Sequence, residues 1–74
     1  MFEVTFKIRG RAKRFAGNSL ASVQDQWRLN RDASGVGSSA VMGGDVTKDG
    51  ATICRMSYNG RVWVIGGDFV EYVA

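Results

Sequence analysis

The chain contains no histidine, no proline and a single cysteine, Cys54. Without histidine it lacks the commonest general base and the commonest metal ligand. A Ser-His-acid catalytic arrangement and a structural zinc site are therefore excluded. One cysteine cannot form an intrachain disulfide, which indicates a reducing compartment. These absences predict a protein that is not an enzyme and that uses no cofactor and no metal.

The 74 residues also lack a long apolar run, and a hydrophobic content of 45% argues against disorder. We predict neither a secretory signal nor a membrane span. We therefore expect one domain, residues 1–74, in the cytoplasm. Because so short a chain has a thin core, self-association as a homodimer is the remaining way to stabilise it further.

Positive charge is concentrated in the first part of the chain. Residues 1–31 carry seven basic and two acidic side chains, a net charge of +5, whereas residues 32–74 carry three basic and five acidic ones, a net charge of −2. This asymmetry predicts one basic face for an anionic partner, although it is also compatible with an ordinary solvated surface.

Residues 2–9 alternate between apolar and polar side chains, which predicts a strand with one face in the core and one in water. Gly10 interrupts the pattern and suits a tight turn. Residues 11–16 are then predicted to return as a partner strand that brings Phe15 near the core.

A helix is predicted to follow, with Asn18 or Ser19 as its N-cap. Leu20, Val23 and Trp27 recur at spacings of three and four, which places them on one helix face. The helix is expected to end near residues 30–31.

Residues 32–45 show no periodicity and contain four glycines and three serines. We interpret them as a loop that is mobile or contacts a partner. Within it, residues 35–40 match the dinucleotide fingerprint G-x-G-x-x-A. That motif needs a preceding strand and a following helix, so a flexible loop is the favoured interpretation.

The last third of the chain is predicted to form strands at residues 51–58, 61–65 and 68–73, with residues 45–47 as an optional short strand before them. Asn59-Gly60 indicates a hairpin with a two-residue type I′ turn. That turn places Trp63 opposite Met56 on the core face and Cys54 opposite Ile65. The sequence thus predicts an α+β fold, one helix packed on a mostly antiparallel sheet in the order β-β-α-β-β-β.

Other residues with chemical potential are interpreted as structural. Trp27 and Trp63 could stack on nucleobases, but their positions favour the core. Cys54 is expected to act as a small buried hydrophobe. The carboxylates of Asp45, Asp49 and Asp68 could pair for acid–base or metal chemistry, yet turn and strand-start positions are common structural uses of aspartate.

The candidate partner-binding site is a set of basic residues. Four of them, Lys7, Arg9, Arg11 and Lys13, occupy every second position around Gly10. The hairpin is therefore expected to carry these four at its tip and along its polar face. Three interpretations remain open: the hairpin grips phosphates of DNA or RNA, it docks on an acidic protein surface, or its cations only protect a sheet edge from aggregation. The set comprises Lys7, Arg9, Arg11, Lys13, Arg14, Arg28 and Arg31.

The stretch Ser57-Tyr58-Asn59-Gly60-Arg61-Val62-Trp63 resembles short reading frames of phages and plasmids. With its small size, N-terminal strand, single helix and terminal hairpin, the chain is similar in kind to anti-CRISPR proteins. Unlike the acidic DNA mimics among these inhibitors, it is basic. The resemblance implies a phage or mobile-element inhibitor in the host cytoplasm that sterically blocks a host nucleoprotein complex. A nucleic-acid-binding module that uses the same basic hairpin is the alternative.

Overall fold

The alternating residues at the start of the chain form a strand that lies second from one edge of a five-stranded antiparallel sheet. The computed structural model describes residues 1–65 and 70–72. One helix covers one face of the sheet, which confirms the predicted α+β fold. The elements are β1 (Phe2–Ile8), β2 (Arg11–Gly17), α1 (Leu20–Ser34), a 3₁₀ turn (Ser38–Ala40), β3 (Val41–Lys48), β4 (Ala51–Met56) and β5 (Val62–Val64). The order of the strands across the sheet is β2-β1-β3-β4-β5.

Helix α1 begins at its predicted cap and ends later than predicted. The Ser19 hydroxyl accepts a hydrogen bond from the backbone N–H of Ser22 at 3.1 Å, as expected for an N-cap. The predicted end near residue 30 or 31 is wrong, because the helix continues to Ser34. Gly35 then adopts a left-handed conformation (φ 66°), and its N–H donates to the Arg31 carbonyl at 3.0 Å.

The prediction of one loop over residues 32–45 is wrong, because residues 32–34 belong to helix α1, residues 38–40 form the 3₁₀ turn and residues 41–45 belong to strand β3. Strand β3 pairs with β1 and with β4 in the middle of the sheet. Its pairing with β1 shifts at a bulge, where Gly43 and Gly44 have φ values of 87° and 110°. A Cβ atom on Gly44 would overlap the Met56 carbonyl and the Phe6 ring. These glycines therefore allow a bulged central strand to pass between close neighbours.

The hairpin between β4 and β5 is one residue out of its predicted register. Ser57 pairs with Arg61 instead of Tyr58, since the Ser57 N–H donates to the Arg61 carbonyl at 2.8 Å and the Gly60 N–H donates to the Ser57 carbonyl at 2.9 Å. The loop therefore has three residues and ends in Gly60 at φ 86°, which is the type I turn with a bulge.

This one-residue shift exchanges the two faces of β5. Val62 lies opposite Met56 in the core, Trp63 lies opposite Arg55 on the other face, and Cys54 pairs with Val64 instead of Ile65. Trp63 is only half-buried, so the prediction that it fills the core is wrong.

The core lies between α1 and the sheet, and Trp27 is at its centre with no exposed surface. Its ring stacks on Phe6 with centroids 4.1 Å apart and meets the edges of Phe15 and Tyr58. Its indole N–H donates to the Tyr58 carbonyl at 2.8 Å. One side chain thus joins the helix, the first two strands and the β4–β5 loop.

The predicted final strand, residues 68–73, lies partly outside the described residues. Within them, Glu71 forms an isolated antiparallel bridge with Trp63. The N–H of Val64 donates to the Val70 carbonyl at 2.8 Å, and the N–H of Tyr72 donates to the Val62 carbonyl at 3.0 Å. Residues 70–72 therefore cover the outer edge of β5.

The two tryptophans are expected to differ in their contribution to stability. Trp27→Ala should lower the free energy of unfolding by about 3–5 kcal/mol, because it empties the central core site. Trp63→Ala removes a half-buried side chain from the open face, which is the face of the sheet that the helix does not cover. This change should lower the free energy of unfolding by about 1–2 kcal/mol. Urea denaturation followed by circular dichroism measures both, and equal losses would contradict the register of β5.

Candidate functional site

The basic residues of the first hairpin do not share one face. The turn between β1 and β2 has two residues, Arg9 and Gly10, with φ values of 52° and 81°. Ile8 therefore pairs with Arg11, and Lys7 pairs with Ala12. Since residues opposite one another point to the same side, Arg11 and Lys13 lie on the helix side of the sheet and Lys7 on the open side. The expectation of a single polar face is wrong.

Arg9 occupies the tip of this hairpin, and its backbone is tied to a neighbouring turn. Its N–H donates to the Ala40 carbonyl at 2.8 Å, which fixes the tip against the 3₁₀ turn before β3. Its side chain is exposed. On the helix side, the Lys13 ammonium lies 5.8 Å from the centroid of the Phe15 ring. The hairpin thus presents cations at its tip and on both faces.

A cleft of about 300 Å³ opens between this hairpin and the last turns of α1. Two of the hairpin cations and two neutral polar side chains of the helix line it. Lys13 and Arg11 contribute the charge, and the helix contributes Asn30 and Ser34, which the sequence did not single out. Its lining consists of Ile8, Arg11, Ala12, Lys13, Asn30 and Ser34.

The remaining three candidate residues are used within the fold. Arg14 lies on the open face, 3.7 Å from the Glu3 carboxylate. Arg28 donates to the carbonyls of Asn59 and Gly60 at 3.4 and 3.3 Å. Arg31 donates to the Tyr58 carbonyl at 3.3 Å and lies over its ring, 5.6 Å from the centroid. Arg28 and Arg31 thus hold the β4–β5 loop against the helix and lie away from the hairpin cleft.

Ion pairing distinguishes four cations of the hairpin from most other charged residues. Each of the six acidic side chains in residues 1–65 and 70–72 lies within 3.9 Å of a cationic group. In the same residues, no ion pair involves Lys7, Arg9, Arg11, Lys13 or Lys48. Four of these five unpaired cations belong to the hairpin. The pairs are Glu3–Arg14, Asp25–Arg28, Asp32–Arg31, Asp45–Arg55, Glu71–Arg61 and Asp49 with the N-terminal amine.

Sequence reasoning missed a second exposed surface on the open face of the sheet. Trp63 lies there between two arginines: Arg55 is its cross-strand partner, and the Arg61 guanidinium lies 5.7 Å from its ring centroid. The Trp63 N–H also donates to the Ser57 hydroxyl at 3.3 Å. Only the correct hairpin register could have placed this side chain here, and Asn59-Gly60 alone does not distinguish a two-residue from a three-residue loop.

The remaining motifs have structural roles where the structure describes them. Gly35 ends helix α1, and Val36 is buried with its carbonyl accepting from the Tyr58 hydroxyl. The G-x-G-x-x-A match therefore follows a helix and not a strand. Asp45 and Asp49 are ion-paired, whereas Asp68 is outside the described residues. Among the residues that are described, no three His, Cys, Asp or Glu side chains come together as a metal-binding group.

Comparison of the chain with protein-family models, with curated proteins and with solved structures finds no match. Of the part of the chain that the structure describes, no helix has the length and apolar character needed to span a membrane.

Cys54 lies in the core and not at the hairpin. It is fully buried on β4 opposite Val46, and this burial raises the pKa of its thiol above the ordinary value of 9.0. A raised pKa keeps the thiol in the neutral form, which is the less nucleophilic one. The predicted role of a small buried hydrophobe fits this environment.

The raised pKa gives the stability of the fold a defined pH dependence. The thiol stays protonated in the folded chain at a pH where the unfolded chain has already lost its proton, so its contribution is complete below about pH 9 and is lost as the pH rises further. Chemical denaturation of the wild type and of Cys54→Ala between pH 7 and 10.5 should show a steeper alkaline loss in the wild type. Parallel curves for the two proteins would contradict this. A thiol reagent should label Cys54 only as the chain unfolds.

Proposed function

We propose that this chain is a small non-catalytic binding protein that docks through its β1–β2 hairpin on an acidic surface of a larger protein or nucleoprotein complex. Steric blocking of that complex, as the resemblance to anti-CRISPR proteins implies, is the form of inhibition that such docking produces. The observation that carries the proposal is that, among the described residues, four of the five cations without an ion pair lie on one hairpin: Lys7, Arg9, Arg11 and Lys13.

The ion pairs matter here for the local field and not for stability. Exposed pairs of this kind contribute about 0–1 kcal/mol each. They do, however, neutralise the surface locally, and charges interact over only about 8 Å at physiological ionic strength. An approaching partner therefore meets little net charge over the paired surface and a concentrated positive charge at the hairpin. Such a charge steers an anionic partner to this end of the molecule.

The surroundings of the four cations favour a protein partner over a phosphate backbone. Lys7 is on the opposite side of the sheet from Arg11 and Lys13, whereas a nucleic-acid strand is followed by cations along one continuous groove. Met42 lies opposite Lys7 with 71% of its surface exposed. An acidic protein surface with some apolar area can satisfy both the cations and Met42.

Removal of the hairpin charges should abolish capture of the partner. In the triple variant Arg9→Gln, Arg11→Gln and Lys13→Gln, we expect the recovery of a specific partner from cells of the source to fall about tenfold or more. The matched control is the triple variant Lys48→Gln, Arg55→Gln and Arg61→Gln. It removes the same number of charges elsewhere and should retain the partner. Quantitative mass spectrometry of the three captures measures this, and equal recovery by both variants would contradict the proposal.

Nucleic acid is the alternative partner, and a titration at two salt concentrations decides it. Four phosphate contacts on duplex DNA would give a slope of log affinity against log salt of about −3.6, or ~150-fold weaker binding at 200 than at 50 mM salt. We expect free duplex DNA and single-stranded RNA to bind weakly or not at all. Tight, salt-steep binding that the hairpin variant loses would replace the proposal by a nucleic-acid-binding module.

A further inference from the structure

We infer that the free edge of β2 accepts an extended acidic segment of a partner protein as an additional antiparallel strand. This inference rests on the proposed function, because it specifies how the hairpin holds an acidic protein. Strand addition of this kind supplies affinity through main-chain hydrogen bonds and specificity through alternate side chains.

The register of the first hairpin shows which backbone groups face outward. In a hairpin with a two-residue turn, the residues that flank the turn form a hydrogen-bonded pair, and such pairs alternate with non-hydrogen-bonded ones. Ile8 and Arg11 flank the turn, so Lys7 and Ala12 form a non-hydrogen-bonded pair, as do Thr5 and Arg14. The N–H and C=O groups of Ala12 and Arg14 therefore point away from β1.

These groups have no hydrogen-bond partner in the part of the chain that the structure describes. The next outward residue differs, because the Ala16 carbonyl accepts from the side-chain amide of Gln26 at 2.7 Å. The opposite edge of the sheet, at β5, is bridged by residues 70–72. The sheet therefore has an open stretch of backbone at Ala12–Arg14, next to the hairpin turn and its cations.

The side chains along this edge indicate the chemistry of the added strand. Arg11 and Lys13 project to the helix side, where they line the cleft with Asn30 and Ser34. Ala12 projects to the open side, where it leaves room. An added strand alternates its side chains in the same way. Its acidic residues are therefore expected at every second position, opposite Arg11 and Lys13, with uncharged residues between them.

A second copy of this chain fits the edge poorly. Antiparallel pairing of two β2 strands about Lys13 would place the two Lys13 side chains directly opposite each other, with Arg11 and Arg14 of both copies close by. Like charges directly opposite one another in a sheet are destabilising. The same charges attract an acidic strand, so charge complementarity selects a partner segment over a homodimer.

The direction of the backbone groups allows a test with two isomeric peptides. The probe is a capped peptide in which Glu alternates with Val, so that Glu lies opposite Arg11 and Lys13. Its Val residues then lie opposite Ala12 and Arg14. Of the peptide's N–H groups, those of the Val residues point toward β2 and those of the Glu residues point away from it. N-methylation of the Val residues should weaken binding at least about tenfold, whereas N-methylation of the Glu residues should leave it nearly unchanged. Isothermal calorimetry gives the affinities, and hydrogen exchange should show new protection of the Ala12 and Arg14 amides.

Variants of the protein provide the reciprocal test. Ala12→Pro removes an outward N–H at an edge position that tolerates proline, so it should weaken binding, whereas Ala12→Val retains the N–H and should bind normally. The melting temperature of each variant reports whether it folds.

The outcomes separate this inference from the proposed function. Equal binding of both N-methylated peptides, with loss in Arg11→Gln/Lys13→Gln, would overturn strand addition and leave electrostatic docking intact. Binding that is insensitive to those two charges would contradict both. No binding of the unmodified peptide would overturn strand addition. A dimer in sedimentation that Ala12→Pro abolishes would assign the edge to a second copy and overturn the inference as well.

Discussion

The contacts of the Trp27 side chain connect every layer of this structure. Its ring stacks on Phe6 of the sheet at 4.1 Å, and its N–H is bonded to the Tyr58 carbonyl at 2.8 Å. The apolar ring and the polar N–H are satisfied at the same time, which a buried indole requires. Because one side chain sets both the depth of the helix and the position of the β4–β5 loop, the placement of the other helix residues follows from it.

The two sides of α1 that flank Trp27 differ in the hydrogen bonds that they make. On the loop side, Gln24, Arg28 and Arg31 donate to carbonyls of residues 58–60. On the β2 side, the Gln26 side chain donates to the Ala16 carbonyl. Farther along the helix, no comparable side-chain bond links α1 to β2 among the described residues, which leaves a gap between them. The cleft with Arg11 and Lys13 lies in that gap. The helix cations Arg28 and Arg31 thus bind loop carbonyls, whereas Arg11 and Lys13 of the hairpin make no ion pair with the described residues.

Local patterns in the sequence predicted the local structure well. The alternation of residues 2–8 and the Ser19 cap depend on neighbouring residues only, and both are confirmed. Only residues 45–47 of strand β3 were anticipated, because Gly43 and Gly44 break the periodicity of its first half. The need for a bulge there arises from contacts with Phe6 and Met56, which are distant in sequence. The β4–β5 register was missed because the carbonyls of its loop are bound by helix side chains, which a turn motif does not encode.

Only part of the candidate site could be predicted, because local sequence patterns do not encode tertiary contacts. The density of basic residues between Lys7 and Lys13 is a property of the sequence, and it indicated the hairpin. Their division between two faces follows from the two-residue turn, across which the alternation of strand side chains does not simply continue. The distinction between Arg9 or Arg11 and Arg28 or Arg31 depends on tertiary contacts, since only the structure reveals which guanidinium groups bind loop carbonyls.

The concentration of uncompensated positive charge at the hairpin can be measured directly with a small multivalent anion. Among the described residues, Lys48 is the one cation outside the hairpin that has no ion pair. The ¹⁵N-labelled chain would be titrated with tripolyphosphate at low ionic strength, and its amide and arginine side-chain signals followed by NMR. We expect the largest and earliest shifts in residues 7–13, with weaker responses at Arg14, Arg55 and Arg61, whose charges are paired. Equal shifts at all exposed basic residues, or shifts centred on the Trp63 face, would contradict this expectation.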